Sequence, residues 1–290
     1  MGLNEKMNRL EALKSRISLG GILIGSGCIV FAIGMLSNTV SEKVGSGGFM
    51  ILVFLMIGIG VYLINGSTKR YKSLYKELFV EEPLRQNFDN VFYSPNSGFS
   101  EDEVKGFNLI PSWNKFKTED YLKATYRNID FQMADFVIER TSGKSTVLIF
   151  KGRIIVFDFP SKFIMSTYIF TKDELYSNKP RRGIGEKIEM ESVEFNRAFN
   201  VYSDMPHDSF YLLTPHFMEK LMKMKKLYPG FAINFQGNRV IVALNERSNN
   251  AFDNNYIQKD LSYPEEIQKI QGDIDDIKKI IEIVDSLEDE

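Results

Sequence analysis

Residues 17–36 read ISLGGILIGSGCIVFAIGML, twenty positions without a charge. A hydrocarbon core of roughly 30 Å takes about 20 helical residues, so this run is long enough to cross one. A second run, GFMILVFLMIGIGVYLI, fills Gly48–Ile64 and draws on Gly47 and Asn65 at its ends. Backbone amides in lipid must be satisfied within their own segment, so both runs are expected as helices despite their glycines. Lys6, Arg9, Lys14 and Arg16 precede the first run, and Lys69, Arg70, Lys72 and Lys76 follow the second. The connection 37–47 carries only Glu42 and Lys43. Positive charge on both outer flanks predicts a two-span protein of the cell membrane with both termini cytoplasmic. A cleaved signal peptide also begins with basic residues before an apolar run. Here, however, no small-x-small site follows Leu36, and a second span comes at once.

Gly21 and Gly25 have the GxxxG spacing that lets helices approach closely, and they are the candidate helix-packing residues. They would serve the packing of the two spans on each other, or self-association. Neither span holds an Asp, Glu, Lys, Arg or His side chain. Transport paths place charge at mid-membrane, so the hairpin reads as an anchor.

The rest of the chain has the composition of a soluble protein. The 290 residues of the whole chain allow one or two folded units, and its 36 Lys+Arg against 38 Asp+Glu give a net charge of −2. That balance supplies no basic surface for nucleic acid. One cysteine and two histidines make neither a disulfide nor a thiolate zinc site, and no metal or cofactor is expected.

Tyr71, Leu74, Tyr75, Leu78 and Phe79 recur at helical spacing up to Pro83. Ser100-x-x-Glu103 is a capping-box signature, and Ile110-Pro111 closes that short segment. From about residue 120 the period changes. Ala134–Arg140, Ser145–Phe150, Arg153–Phe159 and Phe163–Phe170 are short β-branched and aromatic runs that read as strands. Gly152 is expected in a tight hairpin, and Gln236-Gly237-Asn238 in a second between Phe231–Phe235 and Val240–Leu244. Thr214-Pro215 opens a helix with the stripe Phe217, Leu221, Met224, Tyr228, which Pro229-Gly230 ends. Ile267, Ile270, Ile274, Ile277, Ile281 and Val284 form an apolar seam on a last helix, expected to pack on the domain. The fold class is α+β: two N-terminal transmembrane helices, then a mainly antiparallel-sheet cytoplasmic domain with flanking helices and a C-terminal helix. The expected organisation is a transmembrane hairpin over 1–66, a juxtamembrane helical segment over 67–118 and an α+β domain over 119–246. A polar linker over 247–261 and an amphipathic helix over 262–290 complete it.

Catalytic signatures are sparse. There is no Walker loop, H-E-x-x-H, C-x-x-C or G-x-S-x-G. Asp273-x-Asp275-Asp276 has the opening of a calcium loop but no glycine at the sixth place, so a solvated helix face is expected. Asp204, His207, Asp208 and His216 are the one group with the chemistry to relay protons. A polar loop leading into a helix has the same composition. Lys179, Arg181, Arg182 and Lys187 form a basic loop that could touch anionic lipid head groups.

Several segments together resemble a known family. They are Phe99–Gly106 with Ile110 and Tyr121, Phe150-Lys151-Gly152-x-Ile154, Glu191-Ser192-x-Glu194-Phe195 and Phe199-x-Val201. Leu213-Thr214-Pro215-x-Phe217-Met218 and Phe235-x-Gly-x-x-Val240-x-Val242-Ala243 complete the series. With two N-terminal spans, the pattern over roughly 70–255 resembles a bacterial membrane protein family known as domain of unknown function three-one-three-seven. The resemblance implies a bacterial membrane protein, suggests a LemA-type membrane protein as partner, and brings no catalytic residues. The expectation is a membrane-anchored binding or scaffold module for a protein partner or lipid head groups. The alternative is a membrane-tethered enzyme that uses Asp204, His207, Asp208 and His216.

Overall fold

Both uncharged runs lie inside helices that outlast them. In the computed structural model, which describes residues 2–36, 46–172, 183–246 and 262–285, helix α1 spans Leu3–Leu36 and α2 spans Ser46–Tyr75. A π-helical turn, Lys76–Glu81, and α3, Glu82–Asn87, continue α2. The wide turn sits directly ahead of Pro83, which has no N–H to complete a regular ladder. The chain divides into two units, Met1–Glu82 with Asn254–Tyr263, and Pro83–Asp253 with Pro264–Glu290.

In the first unit, α1 and α2 form an antiparallel pair. Both are long and apolar enough to cross a membrane, and only 17% and 11% of their most apolar windows is buried. The core helix of a soluble protein would be mostly covered. Here Ile22, Ile29, Ile51, Phe54 and Leu55 all face outward. The close approach of the helices is set by Gly20 and Gly60. A Cβ added to either would stand 2.8 Å from the other's carbonyl oxygen. Gly21 and Gly25, the expected packing pair, have nothing within 4 Å of an added Cβ and point away from this crossing. The one-residue shift turns the GxxxG face outward by about 100°. Beyond the apolar runs, the rings of Tyr71, Tyr75, Phe79 and Tyr263 follow one another, stacked at the first step and tilted at the next two, and Lys6 pairs with Glu77 at 3.0 Å.

The second unit is built on a seven-stranded sheet in which every pairing is antiparallel. Its strands are β1 Asp89–Ser94, β2 Lys115–Tyr126, β3 Ile129–Ser142, β4 Ser145–Thr171, β5 Glu186–Ile188, β6 Phe199–Ser203 and β7 Phe231–Asn245. Strand β4, 27 residues long, is the axis. One of its edges is followed by β7 from Gly152 to Phe170; the other is shared by β3 up to Asp158 and by β6 from Thr167.

Three expected strands are therefore one, and neither expected hairpin exists. Gly152 lies mid-strand opposite Asn245, and Gly237 pairs with Phe163 inside β7. The true turns are Arg127-Asn128, both with positive φ as a type I′ hairpin needs, and Gly143 between β3 and β4. Glycine marks a β-bulge or a close backbone approach as readily as a turn, and the sequence pattern does not separate the two.

Alternation along the strands gives the sheet two apolar faces. Phe136, Ile154, Val156, Phe170 and Ile241 line one, covered by Phe99, Leu109 and α4, Glu101–Phe107. The capping box at Ser100 forms as expected: Ser100 N–H donates to Glu103 at 2.7 Å, and Glu103 N–H to the Ser100 hydroxyl at 3.3 Å. On the other face lie α5, Val193–Ala198, and α7, Pro215–Leu227, with Phe217 against Phe235. Thr214 caps α7, its hydroxyl accepting from Phe217 N–H. The last helix, α8, Tyr263–Asp285, buries Ile270, Ile274, Ile277, Ile280, Ile281 and Val284. Lys278 of α8 lies over the rings of Phe88 and Tyr126.

Candidate functional site

The histidine and aspartate group sits where β6 ends. A short helix, α6, Pro206–Leu212, follows with Met205 at its cap. Its anchor is Ser209, fully buried, whose hydroxyl shares a 2.9 Å hydrogen bond with that of Thr167 in β4. Pinning by Ser209 turns the next two residues outward: Phe210 and Tyr211 are exposed, and so is Met205.

The four sequence candidates do not converge. The Asp204 carboxylate accepts from Ser166 N–H at 2.8 Å, a role in turning the chain. His207 is exposed and packs edge-on against Tyr211. Asp208 lies in the first turn of α6. His216 lies in the first turn of α7, where its acidic neighbour is Glu219. That carboxyl is held below its usual range mainly by a hydrogen bond from Lys223, with a smaller effect of His216. Among the described residues no group of His, Cys, Asp and Glu is placed to hold a metal ion. Of the basic loop, Lys187 is exposed in β5, while Lys179, Arg181 and Arg182 lie outside the described residues.

The sequence reading missed a buried charged cluster on the helix-covered face of the sheet. Asp135 of β3 and Arg153 of β4 are cross-strand partners. Both are buried, with Nε and Oδ1 3.6 Å apart. Burial works against the Arg153 charge, but Asp135, Glu246 and Asp273 outweigh it and hold the guanidinium above its ordinary value. Asp273 and Asp276 of α8, both half-buried, also have partners on the domain: Asp273 acts on the Arg153 charge, and Asp276 interacts with the Tyr228 hydroxyl while pairing with Lys279 on its exposed side. Burial above all, then Asp276, pushes the Tyr228 phenol well up. A charged residue at an inward-facing strand position was the available signal, because Arg153 and Asp135 each interrupt an apolar run.

Glu246, at the end of β7, has its carboxyl raised by burial and by Asp273 and Asp276, with Arg153 pulling it partly back. Between the ordinary carboxylate value, ~4.3, and Glu246's raised one, the folded chain holds a proton that the unfolded chain has released. Stability therefore falls as pH rises through that window and is level above it. Glu246→Gln is expected to flatten this slope and raise the melting temperature on the alkaline side. Thermal melting of both full-length proteins in detergent across the window checks it, and parallel curves would exclude the assignment.

The segment that carries α6, α7 and most of this cluster has a counterpart among known proteins. Residues 148–288 match the model of a family described as "Protein of unknown function (DUF3137)". This portion of the chain belongs to the DUF3137 family. The DUF3137 portion starts inside β4 and includes β5 to β7 and α5 to α8, whereas β1, β2 and β3 lie before it. No curated protein matches the chain. Among solved structures, the chain is similar to the mycobacterial trehalose monomycolate transport factor A, TtfA, at 10% identity and a TM-score of 0.38, over 73% of this chain and 93% of that one. A likeness at that level carries no argument about activity.

Proposed function

We propose that the protein is a membrane-anchored binding module. Its hairpin would hold it in the cell membrane with both termini cytoplasmic, and its DUF3137 portion would engage a protein partner. The observation that carries the reading is α6. On a sheet whose two faces are covered, this short helix leaves Met205, Phe210 and Tyr211 at 41%, 43% and 73% exposure. Single exposed apolar residues are ordinary, but three within seven positions concentrate apolar surface on one short segment, and aromatic side chains are the kind that anchor contacts. The dispersal of Asp204, His207, Asp208 and His216 favours binding over catalysis, and the basic flanks of both spans favour the orientation.

In-cell crosslinking and affinity purification of the full-length protein, compared with a Phe210→Ser/Tyr211→Ser variant, tests the module. Recovery of a specific crosslinked protein is expected to fall about tenfold in the variant, the effect of removing two aromatic contacts at an interface centre. Equal recovery from both proteins would remove α6 from the contact.

A further inference from the structure

A cavity of about 520 Å³ opens at the polar end of the hairpin, within the first unit. Arg16 of α1 lines it together with Tyr62, Asn65, Gly66, Lys69 and Arg70 of α2. On α2 the spacing 62, 66, 69 and 70 places these residues on one helix face. Arg16 joins from the other helix because Gly20, one turn further on, is seated against Gly60 and Ile64. Arg16, Lys69 and Arg70 are all exposed, and no carboxylate lines the cavity.

The sequence sets the depth of this cavity. Arg16 is the last charged residue before the uncharged run 17–36, and Lys69 is the first after Gly48–Ile64. Three cations therefore meet where hydrocarbon gives way to head groups, the level at which tyrosine is also favoured. Guanidinium groups bind phosphate oxygens in pairs, and an ammonium adds a point charge. Below the cavity, Leu19 and Ile59 are 51% and 52% exposed and continue an apolar surface on which acyl chains can lie. A volume of this size suits a small polar ligand.

We infer that this cavity binds the phosphate-bearing head group of an anionic phospholipid. Arg16 and Arg70 supply the paired donors, Lys69 supplies further charge, and Tyr62 and Asn65 supply neutral hydrogen-bonding groups. The inference rests on the reading of α1 and α2 as membrane spans and is independent of any protein partner.

Native mass spectrometry of the full-length protein, released from non-ionic detergent with equal phosphatidylglycerol and phosphatidylcholine, tests it. The wild type is expected to retain one phosphatidylglycerol with about tenfold preference, as basic residues at an anionic surface imply. An Arg16→Gln/Lys69→Gln/Arg70→Gln variant should lose that preference, and Lys72→Gln, outside the cavity lining, should keep it. Equal retention of both lipids by the wild type, or a preference that survives the triple change, overturns the site. Displacement of the lipid by millimolar glycerol phosphate would assign the cavity to a free phosphate compound instead. Partition of each protein into a detergent phase is measured in parallel. Failure of the wild type to partition would sink the membrane reading itself, and normal partition without lipid preference would sink only the site.

Discussion

Gly152→Ala is expected to leave a second unit that melts far below the wild type. Gly152 is paired on both edges, with Phe136 of β3 and Asn245 of β7. A Cβ there would stand 2.0 Å from the carbonyl oxygen of Leu244 and 2.8 Å from the amide nitrogen of Glu246. Those atoms are backbone, so no rotamer change relieves the overlap, and β7 must leave β4 at the start of their ladder. A loss of about 3 kcal/mol is the scale for forced overpacking in a core. For a domain of this size that lowers the melting temperature by about 6–12 °C. Gly237→Ala is the control. Gly237 has a φ of +61° but open space around its Cβ position, so it should lose only about 1 kcal/mol. Equal melting of the Gly152→Ala and Gly237→Ala proteins in detergent would show that β7 yields without consequence.

Asp135→Ala is the second large effect. It removes the cross-strand carboxylate from a guanidinium that remains buried beneath α7 and α8, with only Glu246 and Asp273 left to balance it. Breaking one side of a buried pair costs about 3–5 kcal/mol, whereas exchanging both partners for apolar residues of similar volume is often neutral or better. Asp135→Leu combined with Arg153→Met should therefore recover most of what Asp135→Ala loses. A double-mutant cycle on melting temperatures measures the coupling directly. If the double change melts as low as the single one, the pair is not what holds this part of the sheet.

These two positions also mark where sequence reading stops. The membrane-length helices, the capping box at Ser100, the Thr214 cap and the isoleucine seam of the last helix were legible because each has a local cause within a few residues. Gly152 was not, since what requires a glycine there is the carbonyl of Leu244, 92 positions away along the chain. The same holds for the partners of Asp273 and Asp276: the half-exposed face was legible, but Arg153 and Tyr228, more than 40 positions away, were not. Gly21 and Gly25 differ again: within the chain, the contact between the two helices is made by Gly20 and Gly60 instead, and the GxxxG pair lies on the outward face. Of the candidate site, the 204–216 segment was found for its histidines. What the fold exposes there is Phe210 and Tyr211, and that followed only from the burial of Ser209.

The length of β4 has a consequence for where this protein can be cut. The stretch recognisable as DUF3137 begins at Leu148, three residues into a strand that β3 covers as far as Asp158. A chain begun at Leu148 would leave that edge bare, with unpaired amides and carbonyls ready to recruit the same edge of another copy. A chain begun at Pro83 would bring β1, β2 and β3 with it and keep the edge closed. The stretch that matches the family is thus shorter than the stretch whose strands close the edge of β4.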